Sequence, residues 1–145
     1  TTTRRQRQMC IRDRFISIQI TAAILGTIFA NYIFGLSIVE ISSNIRSGTN
    51  IYISEVFASF GLLMVILLSK VGGKNIVAFN VGIYITAAII FTSSASFANP
   101  AVSIARIFTE SFAGINPSTV IFFIGSQVIG MFGAYFLYNR LFKTK

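Results

Sequence analysis

Asn99, Pro100 and Ala101 are the residues whose types and order can build a site. Proline at the first helical position loses nothing by lacking an N–H. Asparagine before it is an N-cap, its side-chain oxygen placed to accept from an otherwise orphan N–H near Val102. That use of the oxygen leaves the Asn99 amide NH2 as a free donor. The spacing predicts a helix from Pro100 through Val102, Ile104, Ile107, Phe108 and Phe112, closed at Gly114. A fixed donor at a helix start, preceded by the small polar run from Ser93 to Ala98, suits hydrogen bonding to a neutral molecule. Bond-making chemistry lacks its reagents. The 145 residues contain no histidine and four acidic residues, so general acid–base and metal-ligand sets are nearly absent. Cys10 is the single cysteine and permits no internal disulfide. No catalysis, cofactor or metal is expected.

The elements that must position Asn99 are apolar and long. The chain is 54% hydrophobic and 11% charged, with a mean hydropathy of +0.75, the profile of a membrane protein. Its net charge of +8 does not mark a nucleic-acid surface, because the basic residues collect at the ends of apolar runs. Residues 1–14 form a basic flank that reads as a cytoplasmic end or as sequence outside the native frame. Residues 15–39 read as a first span, 40–50 as a polar outer loop, 51–69 as a second span and 76–91 as a third. Asn116 and Pro117 open a last span to about Phe142, and 143–145 are a basic tail. Between the third and last spans, Ser93–Pro117 would leave regular helix at membrane depth. Such backbone is tolerated only where it is buried in protein or lines a watery cavity. A reentrant, pore-lining half-helix is the economical reading.

A short pattern recurs. Gln19, Ala22 and Gly26 have the spacing of Gln127, Gly130 and Ala134, a glutamine followed by two small residues on one helix face. The small residues permit close helix approach, and the glutamines read as helix-packing hydrogen bonders. Such an echo fits a fold of two related halves in inverted orientation.

Asn-Pro-Ala between two apolar spans resembles the second signature motif of the aquaporin and glyceroporin, or major intrinsic protein, family. The resemblance implies an all-α transmembrane bundle, present here in part: about four spans and one half-helix. Residues 15–39 would be the last span of the first repeat and 51–142 the second repeat, with two spans and the first half-helix missing. It implies a passive channel for water or small uncharged solutes, a homotetrameric parent, lipid as the surrounding partner, and a multi-pass place in the plasma membrane. Both termini would face the cytoplasm, which agrees with Lys70, Lys74, Arg140, Lys143 and Lys145 lying on that side against Arg46 in the outer loop and Arg106 on the half-helix.

The resemblance also assigns residues. Asn99, Pro100 and Ala101 would line the pore. Glu55, costly inside a span, reads from its position as a proton or substrate relay; the family favours a support of the half-helix loop instead. Gln19 and Gln127 would support the pore. Where many relatives carry a filter arginine, this chain has Val102, with Ser96 and Ala87 at two further filter positions. The run from Asn99 to Ile115 resembles a bacterial and archaeal branch that lacks this arginine, some members of which are associated with neutral metalloid acids. Arg106 would stand at the outer mouth, or pair with Glu110 at i, i+4. A secondary transporter with a broken helix and a non-conducting membrane piece are the competing readings.

Overall fold

The computed structural model describes residues 2–142, with side chains from Gln6 onward; the basic tail at 143–145 lies outside the described residues. Among the described residues the chain is helix and loop only. Helix α1 covers Thr2–Ile33, α2 Thr49–Ser69, α3 Lys74–Phe91, α4 Pro100–Ala105 and α5 Pro117–Phe142. A short 3-10 turn, Arg106–Phe108, follows α4, and another, Lys70–Gly72, leads out of α2. Among the described residues, four stretches are long and apolar enough to cross a membrane: Gln6–Ile33, Thr49–Gly72, Lys74–Phe91 and Pro117–Phe142.

The first helix differs from the sequence reading at both ends. It starts within the basic flank, whose arginines, glutamines and methionine are good helix formers that extend a nucleus already made by the apolar run. It stops at Ile33 rather than Val39. Gly35 takes φ +67°, and the chain closes on itself there: the Gly35 N–H donates to the Tyr32 carbonyl at 3.2 Å and the Leu36 N–H to that of Asn31 at 2.9 Å. This paired closure is the glycine stop of a helix. Residues 34–48 are therefore a connection longer than the expected 40–50 loop.

Helix α5 lies against α2 through its small-residue stripe. A Cβ at Gly130 would collide with the Val56 carbonyl oxygen and lie 3.0 Å from the Phe60 amide nitrogen. Gln127 and Ala134 on the same stripe are fully buried. In lipid no hydrophobic force draws helices together, so backbone approach of this kind carries the packing. Helix α3 joins α2 by the Tyr84 hydroxyl, which donates to the Ala58 carbonyl at 2.9 Å. Helix α1 reaches the rest chiefly through α4 and the turn after it. The corresponding stripe on α1 is open: Gln19, Ala22 and Gly26 are exposed, and a Cβ at Gly26 would meet nothing within 4 Å.

The buried apolar cluster sits at the root of the reentrant segment, where Phe97, Ile115, Val120 and Phe123 meet with Tyr52 beside them. Phe97 and Phe123 have ring centres 5.3 Å apart. The long helices present their other apolar side chains outward; Ile90 and Phe136 are 83% and 72% exposed. Those faces are what a bilayer covers.

Candidate pore-lining half-helix

The reentrant segment begins where Thr92 ends α3 in extended geometry. The next turns are tight, with Ala95, Ser96 and Ala98 at φ +61°, +45° and +50°. Left-handed backbone at non-glycine residues costs roughly 1–3 kcal/mol each and persists only where surroundings over-determine it. Glu55 of α2 does that. Its carboxylate, fully buried, accepts from the Ser94 hydroxyl at 2.6 Å, the Phe97 N–H at 2.9 Å, the Ala98 N–H at 3.0 Å and the Gln127 amide at 2.8 Å. A carboxylate offers about four acceptor sites, and all four are taken.

The consequence follows from peptide planarity. In a trans peptide the N–H and the preceding C=O point opposite ways. With the Phe97 and Ala98 N–H groups turned onto Glu55, the Ser96 and Phe97 carbonyls are turned away from it. They form a short ladder of acceptors that ends at Asn99.

Asn99 caps α4 as the sequence suggests, though one residue earlier than expected: its Oδ1 accepts from the Ala101 N–H at 2.9 Å. Its Nδ2 makes no hydrogen bond to the described residues. Pro100 occupies the first turn and Ala101 is buried. Ser103, also buried, accepts from the Gln127 amide at 2.8 Å, so Gln127 holds both Glu55 and the half-helix. Gln19 makes no such bond and stays exposed on α1. The echo is one of sequence, with only its second copy engaged here.

The half-helix is shorter than its apolar residues suggest. It does not continue to Phe112, and Gly114 does not end it; after Phe108, Thr109 is extended at φ −143°. Donors from elsewhere take its last carbonyls. The Asn31 side chain donates to Phe108 at 2.9 Å, the Ser42 N–H to Ile107 at 2.8 Å and the Ile115 N–H to Arg106 at 3.2 Å. With those acceptors used, the next helical turn has nothing to bond. The Arg106–Glu110 pairing at i, i+4 is therefore not realised. Glu110 instead accepts from the Ser43 N–H at 2.6 Å and the Ser43 hydroxyl at 2.5 Å. These two bonds hold its carboxyl below the usual carboxylate range.

The three filter positions are not brought to one cavity. Val102 and Arg106 line a groove of about 210 Å³ with Gly26 and Ala30 of α1, and Val102 also packs on the buried aromatic cluster. Ala87 is exposed in a separate groove of about 530 Å³ along α3. Ser96 is buried, and its hydroxyl finds no hydrogen-bond partner among the described residues. A larger cavity of about 570 Å³ continues outward from Arg106 past Asn31 and Thr109 to Phe112.

An aquaglyceroporin, AqpS of Rhizobium meliloti (strain 1021), is 40% identical to this chain over 116 residues. Over this stretch the chain belongs to the major intrinsic protein family. The match takes in 80% of the chain and 50% of the relative, so the chain spans half the length of that curated major intrinsic protein. No family model matches the chain, and no solved structure matches it significantly.

Sequence reasoning passed over several residues that set this geometry in a major intrinsic protein chain: Asn31, Ser42, Arg46, and Asn44, whose amide donates to the Ser111 carbonyl at 2.8 Å. Asn31 had a usable signal, an amide inside an apolar run, where polar side chains seek partners. The others sit in a loop whose composition says only that it turns.

Proposed function

We propose that this chain forms one wall of a passive channel for water and small uncharged solutes such as polyols or neutral metalloid acids. Its first span, within α1, would close the first repeat and 51–142 would make the second, in a homotetrameric plasma-membrane parent with cytoplasmic ends. The observation that carries this is the donor and acceptor pattern at Asn99. A free Nδ2 follows two carbonyls turned away from Glu55, and a neutral hydroxylated molecule can bond to both. Pro100 and Ala101 set the cap that frees Nδ2; Val102, Ser96 and Ala87 would shape an uncharged constriction; Arg106 would guard the outer mouth. Glu55 and Gln127 support the segment from behind, and Gln19 would do the same for the other repeat.

The competing reading, a transporter with Glu55 as its coupling acid, loses support because four donors already occupy that carboxylate. The experiment joins residues 15–145 to the first two spans and first half-helix of AqpS and measures solute entry in proteoliposomes with and without an ion gradient. The channel reading expects glycerol and water flux indifferent to the gradient. Flux that needs the gradient would sink it.

A further inference from the structure

Arg46 is the basic residue of the 34–48 connection, and the half-helix reading gives it no task. Its surroundings are specific. Nε donates to the Gly114 carbonyl at 2.9 Å, Nη1 to that of Ser94 at 3.3 Å, and Nη2 to that of Phe112. The guanidinium carbon lies 5.2 Å from the centre of the Phe97 ring and 5.8 Å from that of Phe112. Ser94 and Phe97 belong to the limb that enters the membrane before α4; Phe112 and Gly114 belong to the limb that leaves after it. One side chain thus joins both limbs by three planar donors and two aromatic faces.

Ser94 is gripped twice. Its carbonyl accepts from Arg46 while its hydroxyl donates to Glu55 and accepts from the Ser96 N–H at 3.3 Å. The left-handed residues begin immediately after it, at Ala95. The anion and the cation therefore hold the same residue from two sides, at the point where the backbone enters its strained course. Phe97 points into the buried cluster, and Arg46 lies over that ring. Its contacts are thus on the aromatic-cluster side of the segment.

We propose that Arg46 is the positioning residue of this site: it straps the two limbs together and so fixes the Ser96 and Phe97 carbonyls that select the solute. The selectivity clause rests on the channel reading; the strap does not. The role needs a fork. Three separate carbonyls and two ring faces suit a flat guanidinium, whereas an ammonium is a point donor with a strong hydration shell. Lysine should keep the charge and lose the function.

The test has two arms. In lipid nanodiscs holding the whole chain, amide exchange is compared for the native protein, R46K and R46A. The Phe97 and Ala98 amides should exchange about tenfold faster in both variants, with α2 and α5 unchanged. Native-like protection of those amides in R46K would overturn the strap, since charge alone would then suffice. If R46A misfolds, R46K alone decides. In the AqpS chimera, R46K should shift the glycerol-to-water permeability ratio at least twofold. Equal loss of both fluxes, with the ratio fixed, would overturn the selectivity role and leave a merely structural residue. A chimera that conducts nothing defeats the channel reading, while the exchange arm still decides the strap.

Discussion

Glu55 shows how one side chain sets the course of a backbone. Glu55→Gln keeps the size and replaces one acceptor oxygen with a donor, so at least one of the four donors faces an NH2. Leaving buried donors unpaired costs about 1–3 kcal/mol each. We expect Glu55→Gln to lower stability by roughly 2 kcal/mol or more, read as an earlier thermal midpoint by circular dichroism in detergent; an unchanged midpoint would remove Glu55 from its supporting role. Val102 makes a different kind of contribution, through what it omits. Val102→Arg would place a second guanidinium in the small groove that Arg106 already lines. In the chimera this change should cut glycerol entry much more than water entry, and stopped-flow light scattering on both solutes measures it. A constant ratio in a folded protein would mean that Val102 does not face the solute.

At the scale of elements, the two copies of the small-residue pattern behave oppositely, and the contrast is testable. Gly130→Ala puts a methyl group against the Val56 carbonyl and should destabilise the chain by about 1–3 kcal/mol. Gly26→Ala meets open space and should stay within about 0.5 kcal/mol of the native protein or gain slightly from helix propensity. Equal effects in a chemical or thermal unfolding series would mean that α2 and α5 do not cross as closely as described. The hydrogen bonds from Ser43 to Glu110 add a pH dependence. Because Ser43 lowers the folded pKa of Glu110, its stabilising contribution is full above the unfolded value of about 4.3 and is lost as pH falls through the lower folded value. Limited proteolysis of the 43–47 stretch should stay flat down to about pH 4 and then rise, and Glu110→Gln should abolish that acid step.

These elements also mark how far sequence could be read. The long helices were legible because lipid imposes length and apolarity, and the start of α4 because an Asn-Pro cap is local chemistry. The end of α4 was not legible. Ile107, Phe108 and Phe112 keep a helical spacing, but their helix is stopped by Asn31, Ser42 and Ile115, which become neighbours only in the fold. The end of α1 misleads for a smaller reason: apolar residues, Leu36, Ile38 and Val39, continue past the stop at Gly35 and lengthen the span by composition alone. The orientation of the Ser96 and Phe97 carbonyls depends on a carboxylate two elements away, which no local pattern encodes.

At the scale of the molecule, one wall of the site is built and the other side is open. Gln19, Ala22 and Gly26 stand exposed on α1, the groove beside Val102 is unroofed, and Ala87 lies in a groove of its own. Reconstituted by itself, the 145-residue chain should give no saturable glycerol flux above that of empty liposomes, while the AqpS chimera does. Selective flux from the chain alone would show that it completes a pore without a further half.

The strap and its companions have an order in time as well as in space. A ribosome makes Asn31, Ser42, Arg46 and Glu55 before it makes any residue of the segment they hold. When Ser94 to Phe108 emerge, the partners of the Ser94, Ile107 and Phe108 carbonyls and of the Phe97 and Ala98 N–H groups have already been made, and the Ile115 N–H that bonds Arg106 and the Gln127 amide that bonds the Glu55 and Ser103 side chains come afterwards. The strained turns at Ala95, Ser96 and Ala98 thus draw their first supports, Glu55 and Arg46, from chain made earlier, and the last helix adds Gln127 and Phe123 behind them.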